Sequence, residues 1–205
     1  MAGATGVTPN KRGVRSRELV LDAAERIMAE HGYEAATLNR IVEASRVPVS
    51  SVYHYFGSKD GVLLAVMERG AARFFESLPA VTERIGTPEE HLAALVRLLR
   101  AALDEHPDFL RLVLVMAAQP PAGEAQHAHE VVTRVREQAL ERIREQMAVV
   151  FGVRKSSRTA RRLAHFTLAA IDGAFIAQTS DDARLDAVLE HLPTALVAMH
   201  AAMER

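Results

Sequence analysis

The amino-acid sequence predicts an all-α fold, a small N-terminal unit of three helices followed by a larger helical bundle. Three observations predict it. Apolar residues recur at helical spacing nearly everywhere, and no run alternates as a strand would. Capping and breaking residues stand at the ends of those periodic runs. The composition, 49 % hydrophobic and 25 % charged, is that of a globular chain able to build one large core or a small and a medium one.

The elements follow in order. Residues 16–31 set Leu19, Ala23 and Ile27 on one stripe, with Val20 and Met28 beside it; Ser16 stands as N-cap and Gly32 as a left-handed terminator. Residues 37–45 form a short helix capped by Thr37. A break at Arg46 to Pro48 leads into a second short helix, Val49 to Tyr55. Ser58 then caps a long helix from Lys59 towards Leu78, and Pro79 stops it. Thr87-Pro88-Glu89-Glu90 is a capping box with proline at the first helical position. Leu92, Leu95, Val96, Leu99 and Leu103 continue that helix to Pro107, and Asp108 starts the next, through Ala118. A loop spans 119–123, and long helices follow at about 127–151, 157–178 and 182–203. No flexible linker is visible, so the domain boundary falls within or just after the long helix that begins near residue 60.

Composition excludes several classes. Without cysteine there is no disulfide framework and no thiolate metal site, which fits a reducing, cytoplasmic setting. No stretch is apolar enough to span a membrane, and the first ten residues carry no signal-peptide pattern. There is no phosphate-binding glycine loop, no HExxH and no nucleophile elbow, so no enzyme is expected and no cofactor is implied. His127 and His129 point about 200° apart on a helix, which argues against joint metal ligation.

The informative stretch is 37–66, TLNRIVEASRVPVSSVYHYFGSKDGVLLAV. Two short helices joined by a tight break, with a third following at once, are the layout of a helix-turn-helix unit. The second short helix offers Ser50, Ser51, Tyr53, His54 and Tyr55 as hydrogen-bonding groups for phosphates or base edges, and Val49 for a thymine methyl group. Ile41, Val47, Val52, Phe56 and Leu63 read as core, and Tyr53 reads equally as an edge-of-core aromatic. Lys11, Arg12, Arg15 and Arg17 precede the first acid, Glu18. That basic arm has two readings, a DNA-backbone contact or a solubilising tail. Net charge is −1 overall and +1 over residues 10–60, so binding to nucleic acid must rest on local placement.

The segment resembles the DNA-binding domain of the TetR (tetracycline-repressor-like) regulators through Thr37, Ile41, Ala44, Val47, Ser50, Ser51, Tyr53, Phe56, Lys59 and Leu63, with the run Tyr53 to Lys59 the most specific part. Two positions depart from the family pattern. Arg46 replaces a turn glycine, at a cost of roughly 1 kcal/mol in a left-handed conformation. Pro48 replaces a Ser or Thr, losing a capping hydroxyl while pre-setting the backbone.

The resemblance implies a disordered basic arm at 1–14, a DNA-binding domain at 15–60 and an effector-binding and dimerisation domain at 61–205. It implies a homodimer on a palindromic double-stranded operator, released by a small-molecule effector. DNA contacts are expected from Arg15, Arg17, Thr37, Arg46, Val49, Ser50, Ser51, Tyr53, His54, Tyr55 and Lys59, with Thr37 and Lys59 on phosphates. Leu185, Leu189, Leu192, Leu196 and Met199, spaced by four and three, form a bundle seam. With Leu168 they are the expected dimer contacts. An apolar effector site is expected from Leu99, Phe109, Leu112, Met116, His165, Phe166 and Phe175, residues that would equally fill an ordinary core. Rival readings are a helical interaction protein and a helical enzyme without DNA binding.

Overall fold

The computed structural model describes residues 11–78, 83–118, 126–180 and 185–205. The described elements are all helices: α1 (Lys11–His31), α2 (Leu38–Ser45), α3 (Val49–Phe56), α4 (Lys59–Ser77), α5 (Pro88–Glu105), α6 (Pro107–Ala118), α7 (Gln126–Phe151), α8 (Arg158–Ser180), α9 (Leu185–Leu189) and α10 (Leu192–Met203). The all-α expectation holds among the described residues. The expected loop at 119–123 and the stop at Pro79 lie outside them.

Two differences come early in the chain. Residues 11–14, expected as disordered arm, already belong to α1, while residues 1–10 lie outside the described residues. Gly13, the one poor helix former among residues 11–17, costs only about 1 kcal/mol relative to alanine. Ser16 therefore sits inside the helix, and its hydroxyl donates to the Arg12 carbonyl (3.0 Å) instead of capping. Of the expected stripe, Ala23, Ile27, Val20 and Met28 are inside, joined by Leu21 and Ala24, while Leu19 is 44 % exposed.

The chain divides into two compact units, one of residues up to 72 with 107–132, the other of 73–106 with 133–205. In the first, α6 packs along α1. Phe109, Leu112 and Met116 of α6 are buried, as are Val62, Leu63, Val66 and Met67 of α4. Gly70 is what lets the Phe109 ring in: a Cβ there would stand 2.2 Å from Cδ2 of the ring. Arg69 fastens α4 to α1. Its Nη1 donates to Glu18 (2.9 Å) and Asp22 (2.7 Å), and its Nη2 to Glu25 (2.7 Å). Burial works against the Arg69 charge, but the three carboxylates outweigh it and hold its pKa above the ordinary arginine value.

In the second unit α10 packs on α5 and α8, and α9 packs on α8. The capping box at Thr87 is complete, with Glu90 accepting the Thr87 N–H (2.8 Å) and Thr87 Oγ1 accepting the Glu90 N–H (3.2 Å). Hydrogen bonds from Thr87 lower the Glu90 pKa. Arg136 of α7 pairs with Asp172 of α8 at 2.6 Å, and Arg142 donates to the Phe75 carbonyl (2.9 Å) while lying over the Phe75 ring. His91 is buried, and its Nδ1 accepts the Ile85 N–H (3.0 Å). The single helix expected at 182–203 is two: α9 ends at Leu189, and α10 starts after His191 with Pro193 in its first turn. Proline removes a backbone donor and favours a helix start over a helix interior.

Candidate nucleic-acid interface

The reading unit is built from local backbone chemistry. Thr37 is extended (φ −69°, ψ 153°), and its Oγ1 accepts the Arg40 N–H at 3.3 Å, capping α2. Arg46 ends α2 in the left-handed region (φ 56°, ψ 26°), with its N–H donating to the Val42 carbonyl (2.9 Å). Arg46 is the one described non-glycine residue at positive φ. The turn is supported by Ser45, whose Oγ accepts the Val47 N–H (3.3 Å), and by Val47, 4 % exposed. Pro48 stands at the N-cap of α3 without a side-chain cap, as its lost hydroxyl predicts.

This turn sets which side of α3 faces outward. Val52 is the buried residue of α3, 1 % exposed. Val49 (44 %) and Tyr53 (52 %) are exposed, as are Ser50 and His54; Ser51 and Tyr55 are half-buried. Positions 49, 50, 53 and 54 lie on adjacent rows of one helical face, opposite Val52. The structure thus brings four of the expected contacts into one outward patch and settles Tyr53 as exposed. Ile41, Val47, Val52 and Leu63 are core, while Phe56 is half-buried.

Gly57 (φ 72°) ends α3, and Ser58 Oγ accepts the Gly61 N–H (3.0 Å) to start α4. A Cβ on Gly61 would stand 1.9 Å from the Phe56 carbonyl oxygen, so the α3–α4 corner closes only around glycine. Lys59, expected on a phosphate, is occupied within the protein. Its Nζ donates to the Glu34 carbonyl (3.3 Å), lies 3.8 Å from the Glu34 carboxylate and sits 3.9 Å above the Tyr33 ring. Tyr33, buried, donates its hydroxyl to the Asp60 carboxylate. Sequence reasoning missed Tyr33, Asp60 and Gly61. The available signals were an aromatic after the Gly32 stop and a glycine three residues past a serine cap.

Thr37, Arg46, Arg15 and Arg17 are exposed. The Arg17 guanidinium also lies 5.5 Å from the Phe56 ring centre and 3.7 Å from Glu18, so it touches the end of α3 directly.

The other expected sites fare differently. Leu189 (2 %), Leu192 (4 %) and Leu196 (1 %) are buried inside the protomer, where α9 packs on α8 and α10 packs on α5 and α8. They are core, and the expected seam is corrected accordingly. Leu168 and Met199 are half-buried, and the Leu185 side chain lies outside the described residues. The seven expected effector residues are divided between the two units. Phe109, Leu112 and Met116 fill the core of the first unit; in the second, Leu99 is half-buried, Phe175 is buried, and His165 and Phe166 are exposed. A cleft of about 230 Å³ lies between α7 and α8, lined by Glu137, Leu140, Glu141, Arg144, Arg161, Ala164 and His165, and of the seven only His165 reaches it. The His127 side chain lies outside the described residues; His129 is half-buried. No helix described here is long and apolar enough to cross a membrane.

Comparison with known proteins fits this geometry. The family described as bacterial regulatory proteins, tetR family, matches residues 20–66, the stretch from α1 into α4. The chain is 36 % identical over 121 residues to the HTH-type transcriptional repressor AcnR of Corynebacterium efficiens, covering 58 % of this chain and 56 % of that protein. It therefore spans just over half the length of that relative. It is 28 % identical over 163 residues to the HTH-type transcriptional regulator BetI of Rhizobium meliloti, covering 80 % and 77 %. The fold is similar to that of the transcriptional regulator FadR from Bacillus subtilis in complex with stearoyl-CoA, with a TM-score of 0.71 at 18 % identity over 89 % of this chain and 98 % of that one. The helix-turn-helix stretch thus matches the family described as bacterial regulatory proteins, tetR family, and the helical architecture is similar to that of a solved regulator.

Proposed function

We propose that this chain is a transcriptional repressor that binds a palindromic operator as a homodimer and is released by a small apolar effector. The observation that carries the reading is the outward face of α3, where Val49, Ser50, Tyr53 and His54 stand exposed while Val52 anchors the helix. Val49 meets a thymine methyl group, and Ser50 and His54 meet base edges. Ser51, Tyr53 and Tyr55 hydrogen-bond to bases or phosphates from the same helix. Thr37, Arg15, Arg17 and Arg46 hold phosphates, and Lys59 fixes the corner behind them. Selection from a random duplex library tests this. Inverted repeats are expected, because two copies of one recognition helix impose two-fold symmetry on the site. Enrichment of asymmetric or single-stranded sequences overturns it.

The dimer face is the outer side of α8. Phe166 (41 %), Ala169, Gly173 and Ile176 (53 %) are exposed at spacings of three, four and three. A Cβ on Gly173 would meet nothing within 4 Å of its own chain, which leaves room for a second helix to approach closely. A Phe166→Glu, Ile176→Glu pair should yield a folded monomer with weak operator binding. A variant that stays dimeric moves the interface elsewhere.

The effector reading rests on the apolar Leu99 and Phe175 of the second unit, and on the acyl thioester held by the FadR neighbour. Long-chain acyl thioesters and other apolar compounds should raise the melting temperature and release the operator. If none does either, the effector reading falls and operator binding stands.

A further inference from the structure

The start of α8 has no part in operator reading or in the proposed dimer face, yet it carries a dense basic run, the second in the chain after residues 11–17. Between Glu145 and Asp172 there is no acid, while Arg154, Lys155, Arg158, Arg161 and Arg162 crowd into nine residues of a chain whose net charge is −1. Arg69, Arg100, Arg136 and Arg144 each pair with a carboxylate. Lys155 is held by Glu141 and by Glu145, at 2.6 Å from the latter. Arg154, Arg158, Arg161 and Arg162 are exposed, and among the described residues none of them pairs with an acid. The first turn of α8 contains no acidic residue to offset the positive end of the helix dipole.

We infer that these four arginines form a second, sequence-independent contact surface for the phosphate backbone of duplex DNA. The inference rests on the reading of the chain as a DNA-binding regulator. Three features favour this occupant. Guanidinium forks match phosphate oxygens two at a time and keep their charge at any working pH. Arg158 and Arg162 are one turn apart, a rise of about 6 Å, close to the roughly 7 Å axial advance of two nucleotides along one strand. The adjacent cleft is no anion pocket, because Glu137 and Glu141 line it beside Arg144 and Arg161. A compact anion has no enclosure there, whereas an extended polyanion needs none. An acidic bilayer would need an apolar anchor beside the arginines. The exposed candidate, Phe166, belongs to the face that the second copy covers.

The test compares the full chain with a variant in which Arg154, Arg158, Arg161 and Arg162 are all glutamine, using an operator-free duplex across a salt series. Each phosphate contact contributes about 0.9 to the slope of log K against log salt, so the slope should flatten by roughly three to four units. Affinity at low salt should fall at least tenfold, with the melting temperature, dimer mass and library-selected sequence unchanged. An unchanged slope overturns the inference. So does loss of binding to phosphatidylglycerol vesicles with duplex binding unaltered, which would assign the patch to a membrane. The two readings fail separately. Inverted repeats selected by a wild type whose operator-free binding ignores the substitutions sink this inference alone. No sequence enriched, with duplex binding still dependent on the four arginines, sinks the reading of α3 and leaves the patch standing.

Discussion

The stretch 37–61, with α2, α3 and their corners, and the later helices α8, α9 and α10 are held in place by different means. In the first stretch each bend has a residue whose own chemistry makes it: Thr37 caps, Arg46 turns left-handed, Pro48 pre-sets an extended angle, Gly57 ends a helix and Gly61 admits a carbonyl. In the second, helices are positioned by what they bury, with Leu163, Phe175, Leu189, Leu192 and Leu196 inside. Local instructions place a short helix with its outward side chains defined. Burial places long helices and tolerates many partners for the same apolar residue.

The comparison can be broken by substitutions that should behave differently in the two stretches. Leu196→Ala removes a fully buried side chain and should cost about 2–5 kcal/mol, as a buried leucine truncation does. The loss should appear as a lower melting temperature with an unchanged selected sequence; a shift in sequence preference would mean that the bundle reaches into base recognition. Gly61→Ala sets a methyl group against the Phe56 carbonyl oxygen. It should cost about 1–3 kcal/mol, the range for forced overpacking, and operator affinity should fall by more than the melting loss explains. Equal losses would show that the corner does not steer α3.

Smaller effects sharpen the contrast. Arg46→Gly relieves a left-handed conformation, and chemical denaturation should show a gain of up to about 1 kcal/mol. Because Arg46 is also proposed to hold a phosphate, the salt slope of DNA binding should flatten by about one unit. Greater stability with an unchanged slope would leave Arg46 a turn residue only. The smallest effect belongs to His91. Burial first, and Arg84 second, push its pKa below the ordinary 6.5. The neutral ring is the folded form, and its Nδ1 accepts the Ile85 N–H. Its contribution to stability is therefore complete above pH 6.5 and is lost as pH falls through the lower folded value. Against a His91→Gln control, wild-type melting should drop more steeply with acidification. Parallel curves would show that His91 carries no such linkage.

The same contrast explains what the sequence revealed. Thr37, Arg46, Pro48 and Ser58 could be read one at a time, because a cap or a turn needs only its neighbours along the chain. Leu189, Leu192 and Leu196 could not. A stripe spaced by four and three is the same string whether it faces its own bundle or a second copy, and only the packing of α9 on α8 and of α10 on α5 and α8 separates the two. Leu19 failed for a related reason: it stands at the edge of a stripe whose other expected members, Val20, Ala23, Ile27 and Met28, are buried, and spacing alone does not say where the buried arc ends. Tyr33 with Asp60, and Gly70 with Phe109, are partnerships across 27 and 39 residues that no local spacing encodes.

The grip of Arg69 on α1 has a mechanical consequence. Glu18, Asp22 and Glu25 are spread over two turns of α1, and one guanidinium holds all three. A hinge with a single fastening lets one rod swivel about it, but three along the rod stop both sliding and twisting. Torque applied to α4 is therefore passed to α1 without slack, and the helices move as one shaft. Cutting any one carboxylate leaves two in place, so the stiffness of the joint should survive single losses and fail only when Arg69 itself is removed.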